Sequence, residues 1–192
     1  MRTADYQHLK QCLQDEVIGA VKPRPFSWFR VVHRALKTPD RRYYFWWRIA
    51  SYLYQNGGKR QQKIALRIGR KLRNKYGLDI SLNAKIGTGM RISHYVGIVI
   101  TGSSNIGRNM HIRQNVTIGV KYDGQPGDVV IGDNIDIGAN CCIIGDGIII
   151  GSNVTIGAMT FVNKSVPDNT IIYNQRESIL ISKEKPLEIV AV

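Results

Sequence analysis

Four histidines, His8, His33, His94 and His111, are the side chains of this 192-residue chain that ordinarily titrate near neutral pH. A neutral imidazole near pKa 6.5 can take up a proton at physiological pH and hand it on, which is the work of a general base. His94 stands at a break in the surrounding pattern, inside Ser93-His94-Tyr95-Val96-Gly97, where a side chain can leave a regular wall and project outward. His111 directly precedes Ile112 and reads as an outward wall residue. Asp79, fifteen residues before His94, is the nearest upstream acid. Cys12, Cys141 and Cys142 have no metal-ligand spacing, and their odd number argues against a disulfide framework. Adjacent Cys141 and Cys142 are expected to serve as small packing residues in one coil, and no metal site is predicted.

The elements that must position these groups are written in a six-residue period. Ile80, Ile86 and Ile92 share one phase, and Ile100, Ile106, Ile112 and Ile118 a second. Ile131, Ile137 and Ile143 follow in a third, then Ile150, Ile156 and Val162 in a fourth. Six matches neither the helical period near 3.6 nor the strand period of 2. It suits a triangular prism with one short strand per side and one inward aliphatic residue per hexad, the signature of a parallel β-helix. Many of these residues precede glycine, from Ile86-Gly87 to Ile156-Gly157, and that glycine is expected to relax the backbone where the chain turns a corner.

Three regions follow. Residues 1–78 read as a mostly helical N-terminal region, with segments at Tyr6–Ala20, Phe26–Leu36, Tyr43–Tyr54 and Lys59–Tyr76 separated by prolines and by Asn56-Gly57-Gly58. Residues 79–168 carry the repeat, about four coils, interrupted by an external loop at 120–128 whose Gly124, Pro126 and Gly127 mark a turn. Residues 169–192 form a tail whose Ile179-Leu180-Ile181 could close the open end of the prism, as terminal caps do in repeat folds. No apolar run reaches the roughly 20 residues of a membrane span, and the polar N-terminus does not read as a secretory signal, so a cytoplasmic setting is expected.

Charge divides the chain unevenly. Residues 1–78 hold 18 Lys and Arg against 4 Asp and Glu, whereas residues 79–192 hold 9 against 10. The segment Tyr43-Tyr44-Phe45-Trp46-Trp47, flanked by Arg41, Arg42 and Arg48, combines aromatic and cationic groups suited to peripheral contact at the inner face of a membrane. The competing expectation packs those aromatics against the prism or a neighbouring subunit. No recognised nucleic-acid module accompanies the charge.

Gly77-Leu78-Asp79-Ile80, Lys85-Ile86-Gly87 and Ser93-His94-Tyr95-Val96-Gly97-Ile98-Val99, taken in order, resemble the serine acetyltransferase family. So do Gln114-Asn115-Val116-Thr117-Ile118-Gly119 and Val162-Asn163-Lys164-Ser165-Val166-Pro167. O-acetyltransferases of bacterial surface-polysaccharide clusters share much of the pattern. The resemblance covers about residues 77–176 and implies a left-handed parallel β-helix. It also implies acetyl-CoA as donor, no metal, and a homotrimer with the donor lying in a groove between subunits. By the same likeness His94 is the general base on the acceptor hydroxyl and Asp79 its acidic partner. A backbone N–H near Gly119 or Val120 would serve the oxyanion. Ala139 and Ala158 permit close approach of the pantetheine arm, and Lys164 and Arg176 contact the nucleotide phosphates.

Ser93, Tyr95, Gln114 and Asp128 are the acceptor-site candidates. Ser93 stands where serine acetyltransferases carry an aspartate that helps hold the amino group of serine. Their second histidine near the end of the external loop is missing, with Asp128 nearby, and the N-terminal domain is shortened. These departures favour a neutral hydroxyl, such as a sugar of a surface polysaccharide, over L-serine. Serine O-acetylation for cysteine synthesis is the alternative within the same chemistry. A catalytically silent trimeric scaffold is the alternative outside it.

Overall fold

The computed structural model describes residues 3–19, 25–121 and 128–175. Four α-helices come first: α1 (Thr3–Leu13), continued by a π-helical turn at Gln14–Ile18, α2 (Trp28–Lys37), α3 (Pro39–Asn56) and α4 (Lys59–Tyr76). Pro39 opens α3 in the first turn, where the missing N–H costs nothing. Gly77 closes α4 in the left-handed conformation, φ 66°, its N–H bonded to the Arg73 carbonyl at 2.9 Å.

From Asp79 the chain winds into a three-sided, left-handed parallel β-helix. Face I stacks Asp79–Ile80, Val99–Ile100, Thr117–Gly119, Cys142–Ile144 and Phe161–Val162. Face II stacks Lys85–Ile86, Ser104–Ile106, Val129–Ile131 and Ile149–Ile150. Face III stacks Arg91–Ile92, His111–Ile112, Asp136–Ile137, Thr155–Ile156 and Ile171–Ile172. All pairings are parallel, and the register sets hexad isoleucine on hexad isoleucine, as in Ile86 against Ile106 and Ile106 against Ile131. The isoleucines of all four phases are buried.

The repeated glycines act differently from the sequence-based expectation. Gly87, Gly107, Gly132 and Gly138 are not in the left-handed region. They are required by proximity between coils: a Cβ on Gly132 would lie 2.7 Å from the Ser152 nitrogen, and one on Gly138 2.5 Å from the Ala158 nitrogen. Most left-handed corner positions fall to asparagine instead, with Gly89, Gly97 and Gly147 at others. Asn109, Asn134, Asn153 and Asn169 have φ between 56° and 58° and form a side-chain ladder with amide hydrogen bonds of 2.9 to 3.0 Å. Asparagine tolerates that conformation better than most residues, and its amide can both donate and accept up the stack.

The first coil has no coil beneath it, so its backbone groups need other partners. Helix α3 supplies most of them. Trp47 donates to the Ile80 carbonyl at 3.1 Å, Ser51 to Leu82 at 3.0 Å, and Gln55 to Leu82 at 2.9 Å. Arg48 donates to the carbonyls of Ile86 and Gly87, each at 2.7 Å. Tyr44 accepts from the Ile92 N–H at 2.8 Å. Arg48 also pairs with Glu16 at 2.6 Å, both side chains buried, and Glu16 accepts the Met90 N–H at 3.0 Å.

This capping redirects the segment read as a membrane contact. Tyr43, Tyr44, Trp47 and Arg48 are buried, Arg41 donates to the Glu16 carbonyl, and Arg42 to Ala35 and Leu36. Tyr44, Trp47 and Arg48 thus cap the solenoid, while Trp46 stays exposed. Among the described residues no helix is long and apolar enough to cross a membrane. Residues 122–127 of the external loop and the proposed capping run at 179–181 lie outside the described residues.

Candidate functional site

Between Ile92 and Ile100 the chain spends eight residues on a corner that takes six between Ile112 and Ile118. The extra length throws His94 outside the wall, exposed, with φ 63°. Histidine is among the few non-glycine types enriched in that region, and such outliers gather at functional sites. The bulge is pinned on both sides. Gly97 donates to the Gly77 carbonyl at 2.9 Å, and a Cβ there would lie 2.2 Å from Asn115 Oδ1. Tyr95 turns into the helical lobe, its ring against Tyr43, Tyr44 and Tyr76 and its hydroxyl donating to the Asp40 carbonyl at 2.9 Å. Burial there pushes the phenol upward. Tyr95 therefore anchors the bulge and is withdrawn from the acceptor side. The His94 imidazole makes no hydrogen bond to any described residue.

Asp79 begins the rung directly below Val99 and donates its N–H to the Ile98 carbonyl at 2.8 Å, one layer beneath the His94 corner. Its carboxylate, however, is held by Arg73 at 3.2 Å, and no hydrogen bond joins it to His94. Both partners are a little over half exposed, and a pair of that kind contributes roughly 0.2–1 kcal/mol.

A second histidine is drawn into the site. Ser93 Oγ lies 2.9 Å from His111 Nε2, and His111 Nδ1 lies 3.5 Å from an Asp136 oxygen that Arg113 also binds. Burial holds the His111 pKa below the ordinary value, against the pull of Asp136. Arg113 holds Asp136 ionised, below the usual carboxylate range. A neutral His111 that donates from Nδ1 to Asp136 leaves Nε2 to accept the Ser93 hydroxyl. The same corner holds Gln114, whose Oε1 is buried with no partner among the described residues, and Ala139 and Ala158 on successive coils above. Met159 donates to the Ala139 carbonyl at 2.8 Å, fixing that stack. At about 4.8 Å per coil the two alanines stand roughly 10 and 15 Å above His94 along one edge.

The other candidates lie on a different edge. Gly119 and Val120 end face I where it turns toward face II, whereas His94 sits where face III turns into face I. Within one protomer the expected oxyanion donors are therefore separated from the imidazole by the width of a face. They share a groove of about 450 Å³ with Asp79, Ser81, Thr101 and Thr117, and a Cβ on Gly119 would meet open space. The Val120 N–H has no acceptor among the described residues. Lys164 is exposed on that same second edge, and Asp128 is engaged by Asn105 at 2.9 Å. Arg176 lies outside the described residues. Among the described residues no group of three His, Cys, Asp or Glu is placed to hold a metal ion.

The solved structures most like this one include serine acetyltransferase isoform 3 of Entamoeba histolytica, in complex with cysteine. The match has a TM-score of 0.74 and 25% identity and covers 94% of this chain and 63% of that one. The soybean serine acetyltransferase apoenzyme gives a TM-score of 0.71 at 27% identity, over 88% and 67%. In sequence, serine acetyltransferase 3 of Arabidopsis thaliana is 38% identical over 125 residues, and that of Staphylococcus epidermidis RP62A 40% over 128. The Escherichia coli K12 protein named WcaB acetyltransferase, of colanic acid biosynthesis, is 35% identical over 108. The chain belongs with the hexapeptide-repeat acyltransferases. It spans 32%, 57% and 66% of those three relatives' lengths. No protein-family model matches it.

His111, Asp136 and Arg113 join Ser93 in one polar chain, and the sequence reading did not place them beside it. Register was the missing signal: Arg91, His111 and Asp136 are direct cross-coil neighbours on face III, yet they are 20 and 25 residues apart in the chain.

Proposed function

We propose that the protein transfers acetyl from acetyl-CoA to the hydroxyl of a sugar acceptor of a bacterial surface polysaccharide, in the cytoplasm, where acetyl-CoA is supplied. The observation that carries this reading is His94, an exposed imidazole without a hydrogen-bond partner among the described residues, displayed on an enlarged corner of an acetyltransferase-type β-helix. Approaching along the edge of Ala139 and Ala158, where small side chains leave the backbone open, the pantetheine arm would bring the thioester toward that ring. His94 takes the proton of the attacking hydroxyl as the carbon–oxygen bond forms. It returns the proton to the departing thiolate when the tetrahedral intermediate collapses. Asp79, once released from Arg73, would orient the ring and stabilise its protonated form.

The separation of His94 from Val120 supports an active site formed between protomers of a homotrimer. One subunit's His94 edge would face the neighbour's Gly119–Val120 edge, whose N–H would stabilise the oxyanion and whose Lys164 would meet the nucleotide phosphates. Arg176 is assigned the same phosphate role. On the acceptor side, Ser93 held by His111 offers a neutral hydroxyl in place of a charge, and the Gln114 oxygen, without a partner among the described residues, offers an acceptor. That lining suits sugar hydroxyls. Serine O-acetylation is the second reading, favoured by the names of the relatives. Thiol release from acetyl-CoA, followed with L-serine and with a panel of glycans, separates them. Turnover on glycans alone is expected; rapid turnover on serine alone would overturn the sugar assignment.

A further inference from the structure

Helix α4 carries Lys59, Arg60, Lys63, Arg67, Arg70, Lys71, Arg73 and Lys75 and not one acid. Among the described residues only Arg73 is paired with a carboxylate. Such a concentration of like charge on an 18-residue helix opposes its own folding, and apart from Asp79 beside Arg73 no carboxylate among the described residues pairs with it. Its C-terminal turns do more than face water. Leu66, Gly69, Arg70 and Arg73, at helical spacing on one stripe, line a cavity of about 350 Å³ together with Tyr54, Asp79 and Ser81. Gly69 lets the helix lie close against the first coil, since a Cβ there would approach Leu82 to 3.3 Å. Asp79 and Ser81 also line the face I groove that ends at Gly119 and Val120. The two cavities thus meet at Asp79, one cationic and aromatic, the other holding the expected oxyanion donors.

We infer that the α4 cavity is an acceptor subsite for an acidic glycan, a sugar chain bearing carboxylates. This rests on the acetyl-transfer reading above and adds the chemical class of its acceptor. Guanidinium groups match carboxylates in fork geometry, and a tyrosine ring offers an apolar face to the C–H side of a pyranose. Arg70 and Arg73 would hold the anionic sugar while Arg67, Lys63 and Arg60 continue the track along the helix for further residues. The Arg73–Asp79 pair is exposed and therefore weak, so an acceptor carboxylate competes for Arg73 and leaves Asp79 free for the reaction. Duplex DNA would be drawn to the same charge, but the junction with the face I groove favours a ligand whose end undergoes chemistry.

The test uses the full chain and the triple variant Arg67→Gln, Arg70→Gln, Lys71→Gln, which leaves Arg73 and Asp79 intact. Binding of an oligogalacturonate, of a maltooligosaccharide of equal length, of a duplex DNA and of acetyl-CoA is measured by titration calorimetry at two salt concentrations. The wild type is expected to bind the oligogalacturonate, more weakly at high salt, and to ignore the neutral chain. The triple variant is expected to lose at least about tenfold in that affinity while keeping acetyl-CoA affinity. Thermal denaturation checks its fold, and Arg70→Lys alone, which keeps the charge without the fork, is expected to retain only part of the wild-type binding. Equal binding of acidic and neutral chains, tighter binding of DNA, or a loss confined to acetyl-CoA would each overturn the subsite. Thiol release in the same samples reads the enzymatic reading separately. Turnover on the acidic glycan that is indifferent to the triple variant would sink the subsite alone. Specific glycan binding without thiol release would sink the transferase alone.

Discussion

His94 combines three properties that rarely meet in one side chain: left-handed backbone, exposure to solvent, and no hydrogen-bonded partner among the described residues. His94→Asn tests its role cleanly, because asparagine tolerates the same φ and the site contributes little packing. Thiol release should fall by about 10²–10⁴-fold, while the melting temperature should hardly move. Wild-type turnover in the variant would remove the base. His111 makes a second prediction. Its folded pKa is lowered, mainly by burial, so between that value and the unfolded value near 6.5 the unfolded chain binds more protons. Stability should therefore decline as pH falls below about 6.5, and His111→Gln should flatten that part of a pH series of urea midpoints. An unchanged slope would mean that the Ser93–His111–Asp136 chain does not couple to folding.

At the scale of elements, α3 shows how a polar, aromatic helix becomes an end cap. Trp47, Ser51 and Gln55 recur at four-residue spacing and present donors along one line of carbonyls, while Arg48 reaches two more and is neutralised by Glu16. Arg48→Met would strand a buried carboxylate and two carbonyls, and a loss of about 3–5 kcal/mol is expected by urea denaturation. Adding Glu16→Gln should recover part of it, because the two losses share one contact. The β-helix itself was legible because its period appears directly in the isoleucines, and the His94 corner because it interrupts that period. The capping role of α3 was hidden, since the same Tyr43–Arg48 segment is chemically suited to a lipid surface. What decides between the two is the row of unpaired carbonyls on the first coil, a property of the fold with no local signature. The asparagine corners were hidden for a related reason: loops make their spacing irregular, and only stacking shows Asn109 beneath Asn134.

For the whole molecule, the separation of the candidate groups across face I has a consequence that one protomer cannot show. If each site joins His94 of one subunit to the Val120 N–H of the next, two different lesions on different subunits can leave an intact site between them. His94→Asn removes the base, and Val120→Pro removes the N–H donor without touching His94. Each homotrimer should then be nearly inactive. Trimers reassembled from a mixture of the two should regain activity, because wherever the subunits alternate one interface pairs an intact imidazole with an intact amide. Unmixed variants assayed together without subunit exchange provide the baseline. Recovery above it would require a shared site, since each protomer acting alone carries a lesion. Failure to recover, in mixed trimers whose composition is verified by native mass spectrometry, would place the whole reaction within one subunit. His94 would then need an oxyanion donor on its own edge, and the peptide N–H groups of His94 and Tyr95, which lack backbone acceptors among the described residues, would be the groups to examine.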